Sequence, residues 1–368
     1  MTVRCAVVSG VGCVFPAGAG STLDKLDFER LPPPAEVPLG GGKRLFHYPV
    51  PDLAGHPHHP DRKSCRYLRP DAIHAVIAAS LALENAGLAG ANHRDTLFYA
   101  AAGQCYADMW PFLRQGVRAS LVNDVFNLQQ FGQSGSTRIN PFFAIRTLAA
   151  LPMAFVAEKY GIHGENFVLS SFGAESAEPI RAAVAAIECG QATVALAGGF
   201  GHLGNPHEIE NLYGTGFYDG DFFGSSSATF IVIEDLDTCT SRKGTPLASL
   251  TSIATKSLAV HEECKIDCHA SIWQNLLPSL GPADRVVFQG AGTEANHVLE
   301  AAAAKRLFPK ASLVDCFKSL GTLLAGAEPF GTALLALMLN QGERGVSLSR
   351  SITGIEAAVY LSGEIAYG

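Results

Sequence analysis

Phe167-Val168-Leu169-Ser170-Ser171-Phe172-Gly173-Ala174, then Ala177 to Glu188, then Ala192-Thr193-Val194-Ala195-Leu196-Ala197-Gly198-Gly199 is the stretch that decides the fold. Phe167 to Ser171 is a short apolar run of β type. Ala177 to Glu188 has a helical pattern, and Pro179 is tolerable there because it falls in the first turn. Ala192 to Ala197 is a second apolar run, which Gly198-Gly199 closes. Short buried strands alternating with helices imply an α/β fold, with mostly parallel sheets and helices on their faces.

The same grammar extends both ways. On the N-terminal side, Cys5 to Ser9 reads as a strand ending in a Gly10-Val11-Gly12 turn. Asp71 to Ala86 reads as a helix with Gly87 as its cap, and Thr96 to Ala102 as a strand. Residues 31–62 run from Leu31-Pro32-Pro33-Pro34 to His56-Pro57-His58-His59-Pro60 and read as an irregular surface segment, since proline blocks helix and ladder bonds alike. With its flank it forms an insertion over 31–70. Residues 103–138 are polar and aromatic without a clear period. Asn140-Pro141-Phe142-Phe143 opens a helix to Tyr160-Gly161. On the C-terminal side come a strand at Thr229 to Ile233, a strand at Arg285 to Phe288, a helix from Asn296 to Leu307, a strand at Leu313 to Cys316, and a helix within 319–340. Two such halves, 1–245 and 246–368, imply an internally duplicated, layered α/β/α/β/α body.

Composition bounds the function. The chain has 368 residues, 48% hydrophobic and 17% charged, with a formal net charge of −7. That composition suffices for a large core and excludes a disordered chain. An acidic chain is a poor phosphate-backbone reader, so no nucleic-acid partner is expected. Nine scattered cysteines read as core thiols of a reduced, cytoplasmic protein. The first residues enter a strand directly, so no signal peptide is expected. The apolar stretch near the C-terminus is broken by Glu328 and Pro329, so no membrane span is expected either.

Three segments carry a family resemblance. Asn140-Pro141-Phe142-Phe143 through Gly164 and Phe167 to Gly199 resembles the central segment of β-ketoacyl-acyl carrier protein synthases, of the thiolase superfamily. Phe288-Gln289-Gly290-Ala291-Gly292-Thr293 with Glu300 is similar to their His-Gly-Thr region. Phe317-Lys318-Ser319-Leu320-Gly321 is similar to their Lys-Ser…Gly-His region. The resemblance implies a thiolase-like fold and an expected site. A condensing synthase needs a cysteine at a strand-to-helix turn, where the helix N-terminus lowers its pKa and backbone N–H groups form an oxyanion hole. Counting back from Gly198-Gly199 puts Gly173 there, and glycine cannot be acylated. Two histidines must stabilise the enolate formed on decarboxylation; Gln289 and Leu323 occupy those positions. Lys318 alone is retained. The family's glycine-rich C-terminal turn is degraded to Ser351-Ile352-Thr353-Gly354-Ile355-Glu356.

Such a body resembles the chain-length factors, inactive ketosynthase homologues that pair with a catalytic ketosynthase, and among them those of bacterial polyene pathways such as the aryl polyene pigments. The resemblance implies a heterodimer, contact with acyl carrier protein mainly through the partner, and no cofactor. It places an interface segment at 103–140. The residues expected to face the partner and its acyl tunnel are Gly103, Gln104, Cys105, Tyr106, Phe142 and Phe143, with Trp110 and Phe112 as secondary candidates. The alternatives are a malonyl decarboxylase or other acyltransferase with relocated residues, and a purely structural subunit. Other candidates read as ordinary structure. Ser170 and Ser171 lack a Gly-x-Ser-x-Gly elbow and read as capping residues. Glu175 and Glu178 suit a helix first turn. His261, Cys264, Cys268 and His269 have no second pair at zinc spacing. His56, His58 and His59 read as solvated loop residues, and Lys318 as a buried or half-buried lysine.

Overall fold

A computed structural model describes residues 4–22, 31–103, 109–139, 141–203, 220–257, 272–279, 281–351 and 354–365. The elements of the main body are β1 (Ala6–Phe15), α1 (Pro70–Asn85), β2 (Leu97–Ala102), α2 (Leu151–Tyr160), β3 (Asn166–Ser170), α3 (Ala177–Glu188), β4 (Val194–Gly201) and β5 (Ser227–Asp235). They continue with β6 (Ala248–Ser257), β7 (Arg285–Gln289), α4 (Glu294–Leu307), β8 (Ser312–Asp315), α5 (Ala327–Met338), β9 (Arg344–Arg350) and β10 (Ile355–Ser362).

The strands lie in the order β8-β7-β9-β10-β6-β1-β5-β4-β2-β3. Each half thus has the same internal order, third-second-fourth-fifth-first, and the two meet head to head where Val7 and Val8 of β1 pair with Ser249 and Ala248 of β6. Apolar side chains of both halves, among them Val8, Ala197, Ile231, Val287 and Val359, close on α3 and α5 as one buried cluster. α5, apolar on all sides but for Glu328 and Thr332, is buried from Ala327 to Ala336. α1 and α2 cover one outer face and α4 the other, which gives five layers.

Several expectations need correction. The sheet is mixed, not mostly parallel: β2–β4, β2–β3, β7–β8 and β7–β9 are parallel, whereas β1, β5, β6 and β10 pair antiparallel throughout. The connection between β9 and β10 is too short for the crossover that a parallel pair needs. Gly10 and Gly12 do not turn the chain; they lie inside β1 because α1 presses on it. A Cβ would stand 2.4 Å from the Ala82 carbonyl oxygen at Gly10 and 2.1 Å from that of Ala78 at Gly12. Gly198 and Gly199 likewise continue β4. The helix expected from Asn140 is broken into Phe143–Arg146 and α2, because Pro152 can sit only in a first turn. Asn140 itself is outside the described residues.

The segment 31–62 is not wholly irregular. Ala35–Pro38 and Arg44–Tyr48 form a small sheet with Phe222–Ser225, and Leu45 is fully buried. Within 103–138, a helix over Met109–Arg118 is followed by a hairpin, Leu121–Val122 against Val125–Phe126.

Candidate functional site

Gly173 ends the turn between β3 and the short 3₁₀ segment Ala174–Ser176 that leads into α3. Its φ of 150° and ψ of −100° suit glycine. The space beside it is taken. A Cβ would lie 2.9 Å from Ser351 Cα and 3.1 Å from the Arg350 carbonyl oxygen. The backbone donors that an oxyanion would need are also engaged: the Gly173 N–H donates to Ser171 Oγ at 3.2 Å and the Phe172 N–H to Glu175 Oε2 at 3.1 Å. Ser171 and Glu175 therefore act as turn-closing residues. Glu178 bonds Arg181 and the Thr255 hydroxyl.

Gln289 and Leu323, read from the sequence as the family's two histidine positions, lie on segments that reach this turn. Gln289, at the end of β7, pairs in the ladder with Ser349 of β9, next to Arg350. It is fully buried, and neither amide atom has a hydrogen-bond partner among the described residues. Leu323 is fully buried, and its carbonyl accepts from Ser227 Oγ at 3.1 Å. The chain then turns into α5, where the Glu328 N–H donates to Ser176 Oγ at 3.2 Å, which itself donates to the Gly173 carbonyl at 2.6 Å. Lys318 is not part of the assembly. Its side chain is 74% exposed with Nζ 3.7 Å from Asp315, so the expected burial is wrong. Cys316 and Phe317 take the inward positions, and Asp315 draws the lysine back along the surface.

Three buried carboxyls, Glu300, Glu328 and Glu356, surround this region. Burial pushes Glu300 up to about 7, opposed by Arg350 and the Ala291 N–H; these lie at 3.6 Å and 3.1 Å. Burial pushes Glu356 up to about 7 as well; the Trp273 N–H donates to it at 2.9 Å, and Arg350 stands 4.0 Å away. Burial also raises Glu328, which accepts from the hydroxyls of Ser349 and Thr332. The signal for Glu328 was present as the acid interrupting an apolar stretch.

Gly103 is buried, with its N–H on the Phe200 carbonyl at 2.8 Å. Gln104, Cys105 and Tyr106 are outside the described residues, as are His261, Cys264, Cys268 and His269. Trp110 and Phe112 lie on the helix Met109–Arg118, with side chains outside those described. Phe142 and Phe143 are half-buried, and Phe142 meets Tyr67 edge-on at 4.7 Å. His58 is not solvated loop: it sits between Glu84 at 2.9 Å and Lys159 at 3.3 Å. A polar cluster that the sequence did not reveal places buried Ser226 Oγ 2.7 Å from His202 Nδ1 and 3.0 Å from His47 Nε2.

No helix among the described residues is long and apolar enough to cross a membrane. Residues 58–223 match the model of the β-ketoacyl synthase N-terminal domain. Nodulation protein E of Rhizobium meliloti (strain 1021) is 29% identical over 142 residues, which span 39% of this chain and only 32% of that protein. Among solved structures, the ishigamide ketosynthase/chain length factor superposes with a TM-score of 0.75 at 16% identity, covering 100% of both chains. A β-ketoacyl synthase from Burkholderia phymatum STM815 gives 0.72 at 18% identity, covering 99% of this chain and 100% of that one. A type II polyketide synthase acyl-carrier protein in complex with its ketosynthase gives 0.73 at 16%, over 98% and 99% of the two chains. Residues 58–223 thus carry a likeness to the β-ketoacyl synthase N-terminal domain, on a body that has the thiolase-like fold of ketosynthases along its whole length.

Proposed function

We propose that this chain is a non-catalytic ketosynthase-like subunit, a chain-length factor, that pairs with an active ketosynthase and shapes the acyl tunnel of a polyketide or polyene synthase. The observation that carries this reading is Gly173. The turn where the family places its nucleophile has no side chain, and the backbone of Arg350 and Ser351 lies against it. Gln289 can donate a hydrogen bond but cannot shuttle a proton at neutral pH, and Leu323 can do neither. A malonyl decarboxylase would lack its enolate support for the same reason.

The partner reading draws on two surfaces. Among the described residues β3 ends the sheet order with one edge unpaired, and such an edge invites another strand. The hairpin exposes Leu121, Val122, Val125 and Phe126 at 39–68%, more apolar surface than a two-stranded ribbon sustains alone. The likeness to a ketosynthase/chain length factor agrees with this reading. The partner would supply the nucleophile and the main contact with acyl carrier protein. Gly103, Gln104, Cys105, Tyr106, Phe142 and Phe143 would face its tunnel, within a division of the chain into 1–245 and 246–368.

The test is co-expression with a ketosynthase that keeps its Cys, His and His, sought first in the neighbouring reading frames. A stable 1:1 complex is expected to condense malonyl units, and the chain alone is expected neither to condense nor to decarboxylate malonyl-carrier protein. Decarboxylation by the purified chain would replace this reading with the enzymatic one.

A further inference from the structure

The short helix Phe143–Arg146 is only four residues long, too short to hold itself in water. It nevertheless presents Ile145 at 38% and the following Leu148 at 55% exposure, beside the half-buried Phe142 and Phe143. Something outside the helix must fix it. Arg69, immediately before α1, is 3% exposed and Asp71, in the first turn of α1, is 2% exposed. Asp71 holds the guanidinium by both oxygens, Nε to Oδ1 at 3.0 Å and Nη2 to Oδ2 at 2.8 Å. This two-point grip fixes the plane of the fork, and the third nitrogen, Nη1, donates to the Arg146 carbonyl at the C-terminal end of the short helix. A cation there also meets the negative end of the helix dipole. Arg146 in turn reaches the Arg66 carbonyl at 3.4 Å, and Phe142 rests on Tyr67.

We infer that the buried Arg69–Asp71 pair is a positioning device that sets the Phe142–Leu148 turn in the shape a ketosynthase partner recognises, although neither residue is itself exposed to that partner. The inference rests on the chain-length-factor reading for the identity of the partner. The local half of it does not depend on that reading. The pair lies within the 31–70 insertion and its boundary with α1, where the sequence gives a proline-rich flank and no sign of a buried ion pair.

The test uses the full chain with Arg69→Gln, Asp71→Asn and the milder Arg69→Lys. Hydrogen exchange is followed at the amides of Arg146, Thr147 and Leu148, which donate to the carbonyls of Phe142, Phe143 and Ile145. Exchange there is expected to quicken at least tenfold in Arg69→Gln and Asp71→Asn, while the amides of α5 keep wild-type rates and report an intact core. The dissociation constant for the co-expressed ketosynthase should rise at least tenfold in the same two variants and less in Arg69→Lys. Unchanged local exchange would overturn the inference. So would quickened exchange with undiminished partner affinity, which leaves the chain-length-factor reading standing. If one variant loses the core signal, Arg69→Lys, which keeps the charge and loses the fork, decides by the same two measurements. A wild-type chain with no affinity for the ketosynthase overturns the partner role together with the reading it rests on, and is recognised before any variant is compared.

Discussion

At Gly173 two separate properties oppose a side chain: a positive φ and the backbone of Ser351, which a Cβ would approach to 2.9 Å, inside van der Waals contact. Gly173→Cys is therefore expected to destabilise the chain by about 1–3 kcal/mol, as a strained and overpacked position does. It should gain no condensing activity, because Gln289 and Leu323 still leave an enolate unsupported and the Gly173 N–H is already engaged. Chemical unfolding measures the first effect, and intact-mass analysis after exposure to acyl carrier protein measures the second. An acyl adduct on the new cysteine with turnover of even a few per cent would refute the assignment. That Gly173 lies at a strand-to-helix turn was legible from its spacing to Gly198-Gly199. Its closure was not, because it depends on β9 arriving from the far end of the chain. The exposure of Lys318 was also hidden, since its place in the motif says nothing about whether its neighbours turn it inward.

At the level of elements, the departures from sequence patterning come from packing by distant segments. β1 reads past Gly10 and Gly12 because α1 needs bare backbone there. β6 and β9 were passed over because Ala248–Ser257 and Arg344–Arg350 are rich in Ser and Thr and present no apolar run. The exposed hairpin and the Phe142–Leu148 turn carry two predictions. Val125→Glu with Phe126→Ser should improve solubility of the lone chain and weaken the heterodimer at least tenfold, read by gel filtration and a binding titration. A soluble variant that still pairs at wild-type affinity would remove the hairpin from the interface. On the proposed tunnel role, Phe142→Ala and Phe143→Ala should lengthen the products of the heterodimer. Both residues are half-buried, so the cost should fall below the ~3–5 kcal/mol of a fully buried Phe. Product profiles and melting temperatures on the same variants separate the two effects, and lost stability with unchanged product length would end the tunnel role.

At the level of the whole molecule, the duplication was legible from alternating strands and helices, and the head-to-head strand order shows how the two copies share α3 and α5 between them. What no periodicity reveals is the set of ionisable groups that packing desolvates, and these set how stability responds to pH. Glu300 and Glu356 move from 4.5 to about 7 through burial. The folded state then binds more protons than the unfolded one between about 4.5 and 7, so their contribution falls as pH rises through that window and is flat above it. His47 and His74 move the other way, from 6.5 to about 4, again through burial. The folded state binds fewer protons there, so their contribution rises with pH between about 4 and 6.5. The histidines offset part of the carboxyl slope between about pH 4.5 and 6.5, and Glu328, which burial also raises, adds to the carboxyl side. Glu356→Gln isolates one of these groups: it keeps an acceptor for the Trp273 N–H and removes one ionisation. Near pH 5 the variant and the wild type should be about equally stable, because the buried carboxyl is protonated and resembles the amide. By pH 8 the variant should be the more stable, by up to about 3 kcal/mol, the free energy of moving one carboxyl from 4.5 to about 7. Urea unfolding of both proteins at pH 5, 6, 7 and 8 measures the gap. Parallel profiles across that range would mean that Glu356 ionises in the core as readily as in water, with Arg350 compensating fully for its burial.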